Sequence, residues 1–148
     1  MADISKAEFG GEAQEKSSER PTRVLAIDDY NSFLEGMAKA LEVMGGLKVD
    51  STTNPAKMSE IIKTAEKEGY PIGVIVCGLQ MSGMNGFEVA KKVRSDGFRG
   101  HFILLTSAIQ RPRMMNSNEL KMTGVNEEMP KGGKVAELVK HIKAGKGK

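Results

Sequence analysis

Short apolar runs alternate with amphipathic patterns along most of the 148-residue chain. In chain order, the five runs that we interpret as strands are RVLAI, the half-exposed LKVDSTT, the apolar IGVIVC and HFILLTS, and the short final run GVNEEMPK. Each is followed by apolar residues at helical spacing, as in NSFLEGMAKALEVMGG after the first run. Strands that alternate with helices predict a parallel sheet covered by helices on both faces. We therefore predict a doubly wound α/β fold of five βα units.

Residues that start or stop helices predict the helix boundaries. The first helix should end at Gly45 and Gly46, and the second should begin at Asn54 or Thr53, with Pro55 in its first turn. The third helix should begin at Asn85 and Gly86, a weaker fourth should span about 113–122, and the fifth should lie in KVAELVKHIKA.

Composition divides the chain into one domain with two polar ends. Residues 1–21 are polar and charged, and they carry too little apolar surface to order themselves, so we expect a flexible arm. The domain should span 22–143, and 144–148 should form a disordered tail. The arm has no apolar core of a secretory signal. No apolar run approaches the roughly 20 residues that span a bilayer.

Charge and cysteine content narrow the function classes. The net charge is only +3, aromatic residues make up 5% of the chain and tryptophan is absent, so nucleic-acid binding is not expected. A single cysteine, Cys77, excludes an internal disulfide and favours a cytoplasmic location. His101 and His141 lie at a strand start and in the last helix, where structural roles are the simpler interpretation.

Polar residues stand where several predicted strands end, and parallel sheets place their functional crevice at that edge. Asp28 and Asp29 follow the first run, and Thr106 and Lys131 follow the fourth and fifth. Two carboxylates can hold Mg²⁺, and a lysine and a threonine can hold phosphoryl oxygens. The third run, however, ends at Gly78, which has no side chain to act as a nucleophile.

These residues resemble the receiver domain of response regulators in two-component signalling. The resemblance covers about residues 22–142 and rests on four features in the family's order: Asp28-Asp29, the loop MSGMNG at 81–86, Thr106 and Lys131. It implies a flavodoxin-like parallel sheet with strand order 2-1-3-4-5. It also implies Mg²⁺ at the acid pair, phosphoryl oxygens at the threonine and lysine, and a phospho-accepting aspartate at the end of the third strand.

The loop alignment places that acceptor on Gly78, and the spacing to Lys131 places the family's switching aromatic on Glu128. We therefore predict a pseudo-receiver that is not an enzyme and needs no cofactor, with weak Mg²⁺ binding at most at Asp28 and Asp29. The alternative is phosphoryl transfer to a substitute residue. Cys77 should face the packed side of the sheet, because strand neighbours alternate, and Ser82 has no evident activating base.

The remaining function is an interaction with another protein. Receivers commonly bind partners through the fourth helix, fifth strand and fifth helix, and methionine suits adaptable surfaces. We expect a partner face at Met114, Met115, Met122 and Met129, although about half of the ten methionines should fill the core. The partner would be a kinase, regulator or localisation factor. Arg111 and Arg113 are residues that can bind the phosphates of a cyclic dinucleotide, so we keep binding of such a ligand as a lesser alternative.

Overall fold

The computed structural model describes residues 20–107 and 117–145, with backbone only at 117. Its five parallel strands are β1 (Arg23–Ile27), β2 (Lys48–Thr52), β3 (Val74–Gly78), β4 (His101–Thr106) and β5 (Glu127–Pro130). The helices are α1 (Asn31–Gly45), α2 (Met58–Lys67), α3 (Gly86–Ser95), α4 (Ser117–Met122) and α5 (Val135–Gly145).

The sheet order is β2-β1-β3-β4-β5, as the resemblance implied. Apolar side chains cover both faces of the sheet. On the α1–α5 face, strand residues pack with Leu34 and Leu41 of α1 and Ile142 of α5. On the α2–α3 face, they pack with Ala65 of α2 and Val93 of α3. This double coverage explains why β1, β3 and β4 read as continuous apolar runs, since neither side of these strands meets solvent.

The predicted helix ends are confirmed, with one refinement at the second helix. Gly46 stops α1 in the left-handed region, at φ 63°, which glycine adopts without steric cost. Asn85 caps α3 in a reciprocal capping box with Glu88. Before α2, the Asn54 side chain accepts a hydrogen bond from the Ala56 N–H and starts a short 3₁₀ turn, Pro55–Lys57.

The described residues make contacts on both sides of the range 22–143. The Tyr70 hydroxyl donates to the Pro21 carbonyl, and the Arg20 guanidinium donates to the Gly69 carbonyl at 2.8 Å. At the other end α5 continues through Gly145, two residues past the predicted end of the domain. Gly145 is buried so closely against His101 that a side chain would collide with the imidazole. Residues 1–19 and 146–148 lie outside the described part.

The polar start of β1 is buried, which its sequence does not suggest. Only 6% of Arg23 is exposed. Its guanidinium donates to Asp50 at 2.6 Å and to Glu68 and the Tyr70 carbonyl. The Asp50 hydrogen bond raises the pKa of Arg23, against the opposing effect of burial. A buried charge of this kind is tolerated because its donors are satisfied.

None of the helices in the described ranges is long and apolar enough to cross a membrane. The predicted start of the fourth helix near residue 113 lies outside the described residues, which resume at Ser117.

Candidate functional site at the carboxyl ends of the strands

Asp28 lies at the centre of the site and is fully buried. It follows β1 directly, so its side chain points into the crevice where the strand order reverses. One carboxylate oxygen, Oδ1, accepts a hydrogen bond from the Tyr30 N–H at 2.9 Å. The other, Oδ2, lies 3.0 Å from Lys131 Nζ, with angles outside those of a hydrogen bond. The Asp28–Lys131 contact is therefore a buried ion pair rather than a directed hydrogen bond.

Gly78 ends β3 beside this carboxylate. A Cβ on Gly78 would lie 2.5 Å from Asp28 Oδ2, closer than real side chains approach. The space in which a side chain at position 78 would begin is thus filled by Asp28. Gly78 has no positive φ angle, so a larger residue here would be opposed by the close approach of the Asp28 side chain and not by the backbone conformation.

Asp29 has a different role from Asp28 and is exposed. Its Oδ2 accepts a hydrogen bond from the Ser82 N–H at 2.8 Å and so holds the loop between β3 and α3. The two adjacent carboxylates therefore diverge. One is in an ion pair inside the site, and the other fixes a loop at its edge.

Thr106 and Lys131 are held together by the ends of β4 and β5. The Lys131 N–H donates to the Thr106 carbonyl at 2.8 Å, and Thr106 is 5% exposed. The Lys131 ammonium also lies 4.8 Å from the centre of the Phe33 ring, a cation–π contact with α1. Gly78 and Lys131, which end strands far apart in sequence, therefore meet at Asp28, and Thr106 is joined to Lys131 through the backbone.

A family model for the response regulator receiver domain matches residues 24–143. The chain belongs to the response regulator receiver family. A search among curated proteins found no significant match.

Solved receiver structures share the fold of this receiver domain. The receiver domain of the putative response regulator NarL from Mycobacterium tuberculosis is 26% identical, with a TM-score of 0.69, over 87% of this chain and 99% of that one. A receiver domain protein from Clostridium thermocellum is 18% identical, with a TM-score of 0.71, over 85% and 94%. The chemotaxis protein CheY4 from Vibrio cholerae is 24% identical, with a TM-score of 0.68, over 84% and 98%.

The side chains of this receiver domain do not fit the Mg²⁺ that its family implies. Magnesium requires several oxygen ligands in a strict octahedral arrangement. Asp28 is already paired with Lys131, Asp29 bonds to the Ser82 N–H, and Gly78 contributes no carboxylate. Among the described residues, no three His, Cys, Asp or Glu side chains are grouped as a metal site would need.

The two candidate substitute nucleophiles, Cys77 and Ser82, differ in their exposure to solvent. Cys77 is fully buried, as predicted, and its thiol lies 3.3 Å from the Gly78 carbonyl. Burial raises the pKa of the Cys77 thiol, and the negative charge of Asp28 raises it further. A buried, protonated thiol is a poor nucleophile. Ser82 is exposed in the loop, with its backbone N–H donated to Asp29.

The switching position, Glu128, lies half-buried in the middle of β5. It is in register with Leu104, whose side chain packs on the α2–α3 face, so Glu128 occupies that face of the sheet. A carboxylate therefore stands where the family usually places an aromatic ring.

The described residues include two of the four methionines of the predicted partner face, Met122 and Met129. Met122, at the end of α4, is 88% exposed, whereas Leu120 of the same helix packs on the α2–α3 face. Met129 packs against the core of the α1–α5 face. The two methionines therefore lie on opposite sides of the sheet. Met114 and Met115, with Arg111 and Arg113, lie outside the described residues.

Most of the other methionines fill the core, as expected. Met37 and Met58 are buried, and Met81 and Met84 pack against the α2–α3 core, while Met44 is 61% exposed.

The sequence did not reveal a cluster formed by one carboxylate and the two histidines. Glu127 of β5 contacts His101 Nε2 at 2.5 Å and His141 Nδ1 at 2.7 Å. The cluster joins β4, β5 and α5 at the edge of the sheet. Local sequence offers only the isolated histidines as a signal, because the three residues meet through strand register and helix packing.

Proposed function

We propose that this chain is a pseudo-receiver, which keeps the receiver fold but does not undergo the family's phosphoryl transfer, and acts by binding another protein. The observation that supports this most directly is the position of Asp28. Its carboxylate fills the space beside Gly78 and is paired with Lys131. The lysine that the family uses for phosphoryl oxygens is therefore already paired with a carboxylate of the same chain.

The lack of a competent nucleophile at the end of β3 supports the same proposal. Covalent transfer needs an attacking carboxylate, hydroxyl or thiol with access to the donor. Gly78 offers none, and Cys77 is enclosed in the core. Asp28 is fully buried and held from two sides, so a phosphate donor cannot reach it without opening the site. On the same grounds we propose that the domain is not an enzyme, and that Mg²⁺ binds weakly or not at all.

The proposed output is a protein contact made without a phosphorylation switch. Met122 supports such a contact at α4, because a large apolar side chain with 88% exposure gains free energy when a partner covers it. The partner classes remain a kinase, a regulator or a localisation factor of a signalling pathway, acting in the cytoplasm.

The test is incubation with acetyl phosphate and Mg²⁺, followed at once by intact-mass measurement. We expect no covalent adduct, whereas a receiver with an acceptor aspartate, treated in parallel, should gain about 80 Da, the mass of one phosphoryl group. An adduct of that mass on this chain would refute the proposal. Its removal in a Ser82→Ala variant would then identify the loop serine as the acceptor and support regulation at a substitute residue.

A further inference from the structure

An open cavity of about 510 Å³ lies on the α1–α5 face, beside the Asp28–Lys131 pair. It is bounded by the first half of α1, the ends of β4 and β5, and the start of α5. We call it the α1–α5 cavity. Its apolar lining is Phe33, Met37, Leu105, Met129, Val135 and Leu138. Its volume is within the range of about 300–1,000 Å³ found for small-molecule sites.

The middle of α1 contributes an exposed glycine to the lining of the α1–α5 cavity. Gly36 lines the cavity, and a Cβ placed on it would meet nothing within 4 Å. Glycine destabilises a helix interior relative to alanine, and Gly36 has no positive φ that would require it. The local backbone therefore gives no reason for glycine here, whereas a larger side chain would extend into the cavity.

Two lysines and one glutamate supply the charges of the lining, and one of the lysines, Lys131, is also paired with Asp28. Lys131 and Lys134 line the cavity, and Glu137 is the acidic residue among its lining side chains. Lys134 is exposed, and α5 begins immediately after it, so the positive end of the helix dipole adds to the field. Lys131 lies over the Phe33 ring, which places its charge beside the apolar wall. An apolar chamber with cations at its edge complements a molecule with an apolar body and one anionic group.

We propose that the α1–α5 cavity binds a small amphiphilic carboxylate, with its apolar body between Phe33, Met37 and Leu138 and its carboxylate beside Lys131 and Lys134. This site is distinct from the proposed partner surface at Met122. It also shares Lys131 with Asp28, so the bound carboxylate changes the electrostatic surroundings of the strand-end site. The receiver would thus sense a small molecule next to the place where its family senses phosphorylation.

Calorimetric titration with dodecanoate, below its micellar concentration, tests the proposal directly. We expect saturable binding with one molecule per chain. In ¹H–¹⁵N spectra the largest shifts should fall on the amides of Gly36, Lys134 and Val135. Dodecyltrimethylammonium, with the same chain and a cationic head, should bind much more weakly. Equal binding of the two amphiphiles, or no binding of dodecanoate, would overturn the proposal.

Matched variants test the contacts to the apolar body of the ligand and those to its carboxylate separately. Gly36→Leu fills the cavity and should abolish binding, whereas Gly36→Ala, at the same position, should retain it. Lys134→Gln should weaken binding about tenfold, as for loss of one charge-assisted contact, while Lys140→Gln, an exposed lysine on α5 outside the cavity, should leave it unchanged.

Thermal melts should show that all four variants fold, so that loss of binding reports the cavity. Gly36→Leu that binds dodecanoate as tightly as the parent would refute the site. If Gly36→Leu fails to fold, the comparison of Lys134→Gln with Lys140→Gln tests the site instead. Equal weakening of dodecanoate binding by these two variants would refute the site.

Discussion

Asp28 Oδ2 stands 2.5 Å from the point at which a Cβ on Gly78 would be placed. The carboxylate of Asp28, the residue after β1, therefore occupies the space in which a side chain on Gly78 would begin. Because the nearest atom belongs to a side chain rather than to backbone, Asp28 could rotate away from a larger residue. That rotation would separate it from Lys131, with which it is paired at 3.0 Å. The glycine and the ion pair are thus one structural unit.

Gly78→Ala should therefore destabilise the domain, by about 1–3 kcal/mol, the range for overpacked sites. Urea denaturation of parent and variant would measure the loss. Gly132→Ala is the control, because a Cβ there meets nothing within 4 Å and the residue has no positive φ. An alanine at position 78 that is as well tolerated as one at 132 would contradict the close packing of Asp28 and Gly78.

Gly78→Asp should strengthen Mg²⁺ binding relative to the parent. The new carboxylate would join Asp28 and Asp29, so three acids would repel one another until a cation neutralises them. We expect MgCl₂ to raise the melting temperature of the variant and leave that of the parent unchanged, with NaCl of equal ionic strength as the control. Full switching should not return, because Glu128 still occupies the position of the aromatic. If Mg²⁺ affects both proteins equally, these residues do not surround one site.

Lys131→Met should leave the Asp28 carboxylate buried without its cation. Breaking a buried ion pair from one side is costly, and since Lys131 is 19% exposed we expect a loss of about 2–3 kcal/mol of unfolding free energy. The double variant Asp28→Asn with Lys131→Met removes both charges and should be more stable than Lys131→Met alone. Additive losses in this double-mutant cycle would show that the pair does not interact energetically.

Cys77 should be unreactive in the folded protein. Its thiol is fully buried, and burial together with the charge of Asp28 raises its pKa, so little thiolate forms even at mildly alkaline pH. We expect no labelling by a thiol reagent at pH 8, and complete labelling of the one cysteine in guanidinium chloride. Rapid labelling under native conditions would contradict this packing and restore Cys77 as a candidate nucleophile.

Met122→Asp should abolish binding of a partner captured from the native cell without unfolding the domain. The side chain is 88% exposed, so the change removes apolar contact area from the surface while leaving the core intact. Met44→Asp is the matched control, since Met44 is 61% exposed at the end of α1 and lies outside the predicted partner face. Affinity measured by biolayer interferometry should fall only for the first variant. Equal affinity of Met122→Asp and the parent would place the contact elsewhere.

The periodicity of the sequence predicted the fold because each signal is local. Strands buried on both faces appear as the apolar runs of β1, β3 and β4, and Gly46 and Asn85 mark helix ends through their own backbone chemistry. The sequence also predicted that the acceptor position is occupied by Gly78, since this alignment depends only on the neighbouring loop.

Only the tertiary structure decided how the polar residues are used. The sequence predicted that Asp28, Asp29 and Lys131 meet, but the side-chain directions separate the two acids: one pairs with the lysine and the other binds the Ser82 N–H. The Glu127 cluster with His101 and His141, and the opening beside Gly36, likewise arise where distant elements pack. Such contacts depend on strand register, helix placement and rotamer, whereas hydrophobic patterns along the chain specify which face is buried and leave the polar partners unspecified.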